Sequence, residues 1–112
     1  MATRKISTEL KKTIESYIKK VSQFYRIDAV YLFGSFAKGN QHQWSDIDLA
    51  IVSKDIKDEI DDMSKLFYLT CDIDERIEPH PFHTDEFNNK DTSLINEIIN
   101  TGIPVYNSAY FS

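Results

Sequence analysis

Apolar residues recur every three or four positions between about Ser7 and Tyr25, at Leu10, Ile14, Tyr17, Ile18, Val21, Phe24 and Tyr25. Lys11, Lys12, Lys19 and Lys20 fall largely off that stripe, so the spacing predicts an amphipathic helix with a solvated basic face. Glu9 and Glu15 interrupt the lysines, which argues against a nucleic-acid patch. The pattern then changes. Ala29 to Phe33 is a short, continuously apolar run ending at Gly34, which predicts an interior strand followed by a tight turn. After a polar loop from Gly39 to Ser45, the segment Asp46 to Val52 reads DIDLAIV, a second buried strand apart from its two acids. Ile56, Ile60, Met63, Phe67 and Thr70 return to helical spacing and leave Asp58, Asp61 and Asp62 mostly facing solvent. Arg76 to Pro79 predicts a third strand at a sheet edge or ending there, because Pro79 has no N–H to give to a ladder. Asp91 is the expected N-cap of a last helix through Leu94, Ile95, Ile98 and Ile99, stopped by Gly102 with Pro104 beyond it.

The loop between the first two strands is too short for a crossover helix, so those strands pair directly, in antiparallel or mixed fashion. The expected fold class is α+β, a small mixed β-sheet with helices packed mainly on one face. A chain of 112 residues with 41% hydrophobic positions suits one domain over residues 1–112, with a core that needs no disulfide or structural metal. Cys71 has no partner for an internal disulfide and is expected to be a small buried residue at the end of the second helix. The N-terminus MATRKISTELKK has no apolar signal core, and no run approaches the ~20 apolar residues of a membrane span. The expected location is cytoplasmic.

Thirteen Lys and Arg stand against 18 Asp and Glu, a net charge of -5, which is the wrong sign for gripping long stretches of nucleic-acid backbone. A templated polymerase is therefore disfavoured. The acids that matter most are Asp46 and Asp48. Alternation along a strand points both to one face, with Ile47, Leu49 and Ile51 on the other. Two like charges side by side on an apolar strand are costly unless a cation lies between them. Hard divalent ions such as Mg²⁺ take carboxylate oxygens, and two of them about 3.5 to 4 Å apart are a recurrent device for moving phosphoryl and nucleotidyl groups. Glu78, the acid within the third strand, is the preferred third carboxylate; Asp72, Asp74 and Glu75, in the turn before it, are the alternatives. Gly34-Ser35 ends the first strand and aims backbone N–H groups and the Ser35 hydroxyl at an incoming phosphate, with Lys38 as counter-charge. The plain alternative for the Asp pair is strand-end acids satisfied by backbone N–H groups or a lysine. His80 and His83, with no cysteine beside them and a proline between, make a poor zinc set and are expected to be solvated loop residues. Trp44, Phe82, Tyr106, Tyr110 and Phe111 are expected in core packing or in an interface near the C-terminus.

Taken together, Gly34-Ser35-Phe36-Ala37-Lys38-Gly39 followed by Ser45-Asp46-Ile47-Asp48-Leu49 resembles the signature of the DNA polymerase β-like nucleotidyltransferases, and the chain length is similar to that of their minimal branch. The likeness extends to Arg76-Ile-Glu78-Pro-His-Pro-Phe82 and to Gly102-Ile-Pro-Val-Tyr106. The resemblance implies Gly34 and Ser35 on the triphosphate, Asp46 and Asp48 on two Mg²⁺ ions, and Glu78 on the catalytic ion. Many relatives carry Asp at the third position. It also implies ATP as substrate and a partner, since members of this branch are often antitoxins of helical HEPN-domain toxins. The expected function is transfer of AMP from ATP to a hydroxyl, a tyrosine of such a toxin. A non-catalytic module that neutralises a toxin by binding is the alternative, and a small-molecule nucleotidyltransferase of the antibiotic-modifying kind is a third reading. Self-association is compatible with each.

Overall fold

A computed structural model describes residues 6–39 and 45–108. Trp44, Tyr110 and Phe111, and most of the polar loop after Gly39, lie outside the described residues. The first helix, α1 (Thr8–Val21), starts where Ser7 Oγ accepts a hydrogen bond from the Leu10 N–H at 3.0 Å. Lys19 and Lys20 stand in its last turn, where positive charge suits the carbonyl end of a helix. The predicted helix ran on to Tyr25; the observed one stops at Val21, and a turn carries the chain into the sheet. The other elements are β1 (Ile27–Phe33), α2 (Ser35–Lys38), β2 (Ile47–Ser53), α3 (Glu59–Tyr68), β3 (Ile77–His83), α4 (Thr84–Asn88), α5 (Ser93–Thr101) and β4 (Ile103–Asn107).

The four strands form one mixed sheet in the order β3-β2-β1-β4. β1 runs antiparallel to both β2 and β4, and β2 runs parallel to β3. The expected α+β class with a small mixed sheet therefore stands. Its two faces carry separate apolar clusters. On one, Leu10, Ile14, Tyr17 and Leu66 of α1 and α3 meet Val30, Leu32, Leu49, Ile51 and Ile77 of the strands. On the other, Phe87 of α4 with Ile95 and Ile98 of α5 meets Phe33, Ala50, Val52 and Phe82. The two longest helices thus share one face, and α4 and α5 cover part of the second. Among the described residues, no helix is long and apolar enough to cross a membrane.

Several local expectations change. β3 is indeed an edge strand, yet it continues through Pro79 and Pro81 to His83. The Ile47 N–H donates to the Arg76 carbonyl at 2.8 Å, so in the parallel ladder the even-numbered residues of β3 turn their backbone toward β2. Both prolines then present their missing N–H to the open edge, where no donor is needed. The cap of α5 is Thr92, not Asp91: its Oγ1 accepts from the Ile95 N–H. Cys71 is exposed rather than buried.

The largest correction concerns the phase of α3. Its inward face holds Asp62, Leu66 and Leu69, while Ile60 and Tyr68 are 77% and 76% exposed. Asp62, expected in solvent, is 7% exposed. Its carboxylate accepts from the Tyr25 hydroxyl at 2.6 Å and from the backbone N–H groups of Lys57 and Asp58 at 2.8 and 3.0 Å. Burial on its own would raise its pKa, but these three donors bring it below the ordinary carboxylate value. The hydrogen bonds fix the rotation of the helix against α1, and apolar periodicity has no access to that preference.

Candidate active site

The end of β1 and the start of β2 lie side by side because the strands are antiparallel, with Phe33 opposite Asp48. Asp48 in turn is opposite Glu78 on β3, and Ala50 is opposite His80. Side chains two residues apart share a sheet face, so Asp48, Glu78 and His80 converge on the face that carries Phe33. Asp46, one residue before β2, has the same parity and hydrogen-bonds Glu78. The structure thus gathers Asp46, Asp48 and Glu78 at one place. Of the alternative third acids, Asp74 is held by Arg76 at 2.8 Å and Asp72 pairs with Lys20 of α1.

Electrostatics at this cluster follow from crowding. Glu78 has its pKa raised, first by partial burial, then by the hydrogen bond with Asp46 and the negative charges of Asp48 and Asp46, with His80 opposing. Neighbouring negative charges disfavour the ionised form of a carboxyl. His80 Nε2 lies 3.2 Å from Asp48 Oδ1 and 3.7 Å from Glu78 Oε1. Its ring also packs edge-on against Phe33, with centroids 5.0 Å apart. This histidine was expected in a solvated loop. The signal that would have found it is its position two residues after Glu78, visible once β3 is carried through Pro79. His83 ends the strand and caps α4, its Nδ1 accepting from the Asp85 N–H at 3.1 Å.

Gly34 closes the site on its other side. It has φ 76° and precedes the short α2, a backbone region that glycine adopts and other residues avoid. A Cβ at this position would run into Asp48 Oδ2, so Gly34 lets the chain pass directly against the acid. Ser35 begins α2. Lys38, at the far end of that helix, pairs with Glu97 of α5 at 3.8 Å.

Asp48, Glu78 and His80 offer two carboxylate oxygens and an imidazole nitrogen within 4.8 Å of one another, a spacing compatible with a shared metal ion. Two donors at right angles about 2.1 Å from one ion are themselves about 3 Å apart, close to the His80–Asp48 separation. The crowding that raises Glu78 is what a divalent cation relieves, so the residues present fit such an ion.

The profile of the family described as "Polymerase beta, Nucleotidyltransferase" matches residues 12–110. A 35-residue segment, 31% of the chain, is 46% identical to the protein adenylyltransferase MntA of Shewanella oneidensis, of which it covers 25%. A 47-residue segment, 42% of the chain, is 32% identical to MJ1215 of Methanocaldococcus jannaschii and covers 55% of it. The matched segments thus span between a quarter and somewhat over half of these curated relatives. Among solved structures, a toxin–antitoxin complex with AMP-PNP superposes with a TM-score of 0.64 at 23% identity, over 87% of this chain and 73% of that one. At these identities the structural likeness speaks for the fold.

Proposed function

Because the chain belongs to the polymerase beta nucleotidyltransferase family, we propose that it transfers AMP from ATP to a hydroxyl of a partner protein and releases pyrophosphate. The observation that carries this reading is the convergence of Asp46, Asp48 and Glu78 from two neighbouring strands beside a glycine turn. Asp46, Asp48 and Glu78 would hold two Mg²⁺ ions, which when bound neutralise the triphosphate and stabilise charge on the attacking and leaving oxygens. Gly34 and Ser35 hold the phosphates, and Lys38 supplies a positive charge at the end of the same short helix. The acceptor oxygen attacks the α-phosphorus; a P–O bond forms there while the bond to the bridging oxygen of pyrophosphate breaks. Glu78, beside the acid pair, is the candidate base for the hydroxyl proton.

The acceptor in this reading is a tyrosine on a helical toxin of the HEPN kind, and the chain acts as its antitoxin in the cytoplasm, where ATP is at hand. Support comes from the names of the relatives, from the toxin–antitoxin complex that shares the fold, and from the net charge of -5, which suits a protein acceptor better than a nucleic-acid strand. An added AMP would place negative charge beside a nuclease site that must bind RNA. The test is transfer of label from α-labelled ATP to the product of the neighbouring gene. Wild type is expected to label it in Mg²⁺ and Asp48→Asn to leave it unlabelled. Equal labelling by the two would remove the acid pair from the reaction.

A further inference from the structure

His80 has no part in the reaction as described, yet its Nε2 faces the same two carboxylates that form the site. We propose that His80 is a metal ligand, so that the ion held by Asp48 and Glu78 is bound through two oxygens and one nitrogen, and that the site favours first-row transition dications such as Mn²⁺ over Mg²⁺. The inference rests on the reading of these acids as a metal site and adds to it the identity of the ion.

Three observations support it. The Nε2 atom lies 3.2 Å from Asp48 Oδ1 and 3.7 Å from Glu78 Oε1, separations that donors sharing one small ion take up around it. The ring is held in place: β3 registers it opposite Ala50, and Phe33 packs against it at 5.0 Å. A small residue at position 50, fully buried, leaves the space over β2 that the imidazole occupies. The chemistry follows from the donor. A neutral imidazole nitrogen is a softer ligand than a carboxylate oxygen and bonds first-row transition ions better than Mg²⁺, which prefers an all-oxygen shell and retains water. A histidine that merely steadied Asp48 by a hydrogen bond would leave the choice of ion unchanged.

Two measurements on the intact chain decide the matter, both without nucleotide and in a buffer free of nitrogen ligands. Pulsed electron paramagnetic resonance of bound Mn²⁺ is expected to show ¹⁴N modulation from a directly bound imidazole in wild type and none in His80→Gln. Calorimetric titration should show Mn²⁺ binding weakened on the order of tenfold or more in His80→Gln and His80→Leu, with Mg²⁺ affinity changed much less. Circular dichroism checks that each variant folds, and the wild-type nitrogen signal needs no variant. Bound Mn²⁺ with no nitrogen modulation, or equal loss of both ions in His80→Gln, overturns the proposal while leaving the acid site intact. Undiminished Mn²⁺ binding by Asp48→Asn overturns the acid site itself, and this inference with it.

Discussion

Gly34 touches the acid cluster through what it lacks. Its positive φ and the nearness of Asp48 Oδ2 mean that Gly34→Ala introduces both backbone strain and a clash with the site. The expected cost is about 1–3 kcal/mol, read as a lowered midpoint in urea, and label transfer should fall by more than the stability loss explains because Asp48 must move. A variant as stable and active as wild type would mean the turn is not tied to the acids. At this scale much was legible from residues alone: a Gly-Ser pair closing one strand and an Asp-x-Asp opening the next are adjacent only if the strands pair. Glu78 was reachable by the same alternation. His80 was not, because the predicted strand runs only from Arg76 to Pro79, whereas a proline whose missing donor faces an open edge interrupts nothing.

Helix α3 shows how hydrogen bonding outweighs apolar spacing. Asp62 satisfies the Tyr25 hydroxyl and two backbone N–H groups at the start of the helix, and hydrogen bonds to a charged group contribute about 1.5–3 kcal/mol. Asp62→Ala should therefore lower unfolding free energy by about 2–3 kcal/mol at neutral pH. The pH dependence has a definite sign. The folded state lowers the Asp62 pKa below its ordinary value, so its contribution is present above the ordinary carboxylate range and is lost as pH falls through the lowered value. Urea titrations at pH 7 and at acid pH should show the wild-type advantage over Asp62→Asn shrinking on acidification; a gap that persists or widens would contradict the assignment. The helix phase has its own check. Ile60→Ser, at an exposed position, should change stability by no more than about 0.5 kcal/mol, whereas Leu66→Ala, fully buried, should cost about 2–5 kcal/mol. The original stripe of Ile56, Ile60, Met63, Phe67 and Thr70 predicts a substantial cost for Ile60→Ser.

Over the whole molecule, the sheet accounts for both the legibility of the fold and its limits. The antiparallel β1–β2 pair and the edge position of β3 follow from loop length and proline chemistry. β4 and α4 were not anticipated as elements: Ile103-Pro-Val is too short and too interrupted to announce a strand, and it is held by pairing with β1, a long-range contact that local pattern does not contain. The proposed protein acceptor accords with the charge of -5, which is the wrong sign for gripping long stretches of nucleic-acid backbone. In the proposed reaction the acids act chemically and do not merely accompany a binding surface. Intact-mass spectrometry of the proposed toxin partner co-expressed with this chain tests it most directly. With wild type the partner is expected to be heavier by the mass of one AMP per transfer, and with Asp46→Asn or Asp48→Asn to be unmodified and still toxic. A partner that stays unmodified and is neutralised equally well by Asp48→Asn would contradict it.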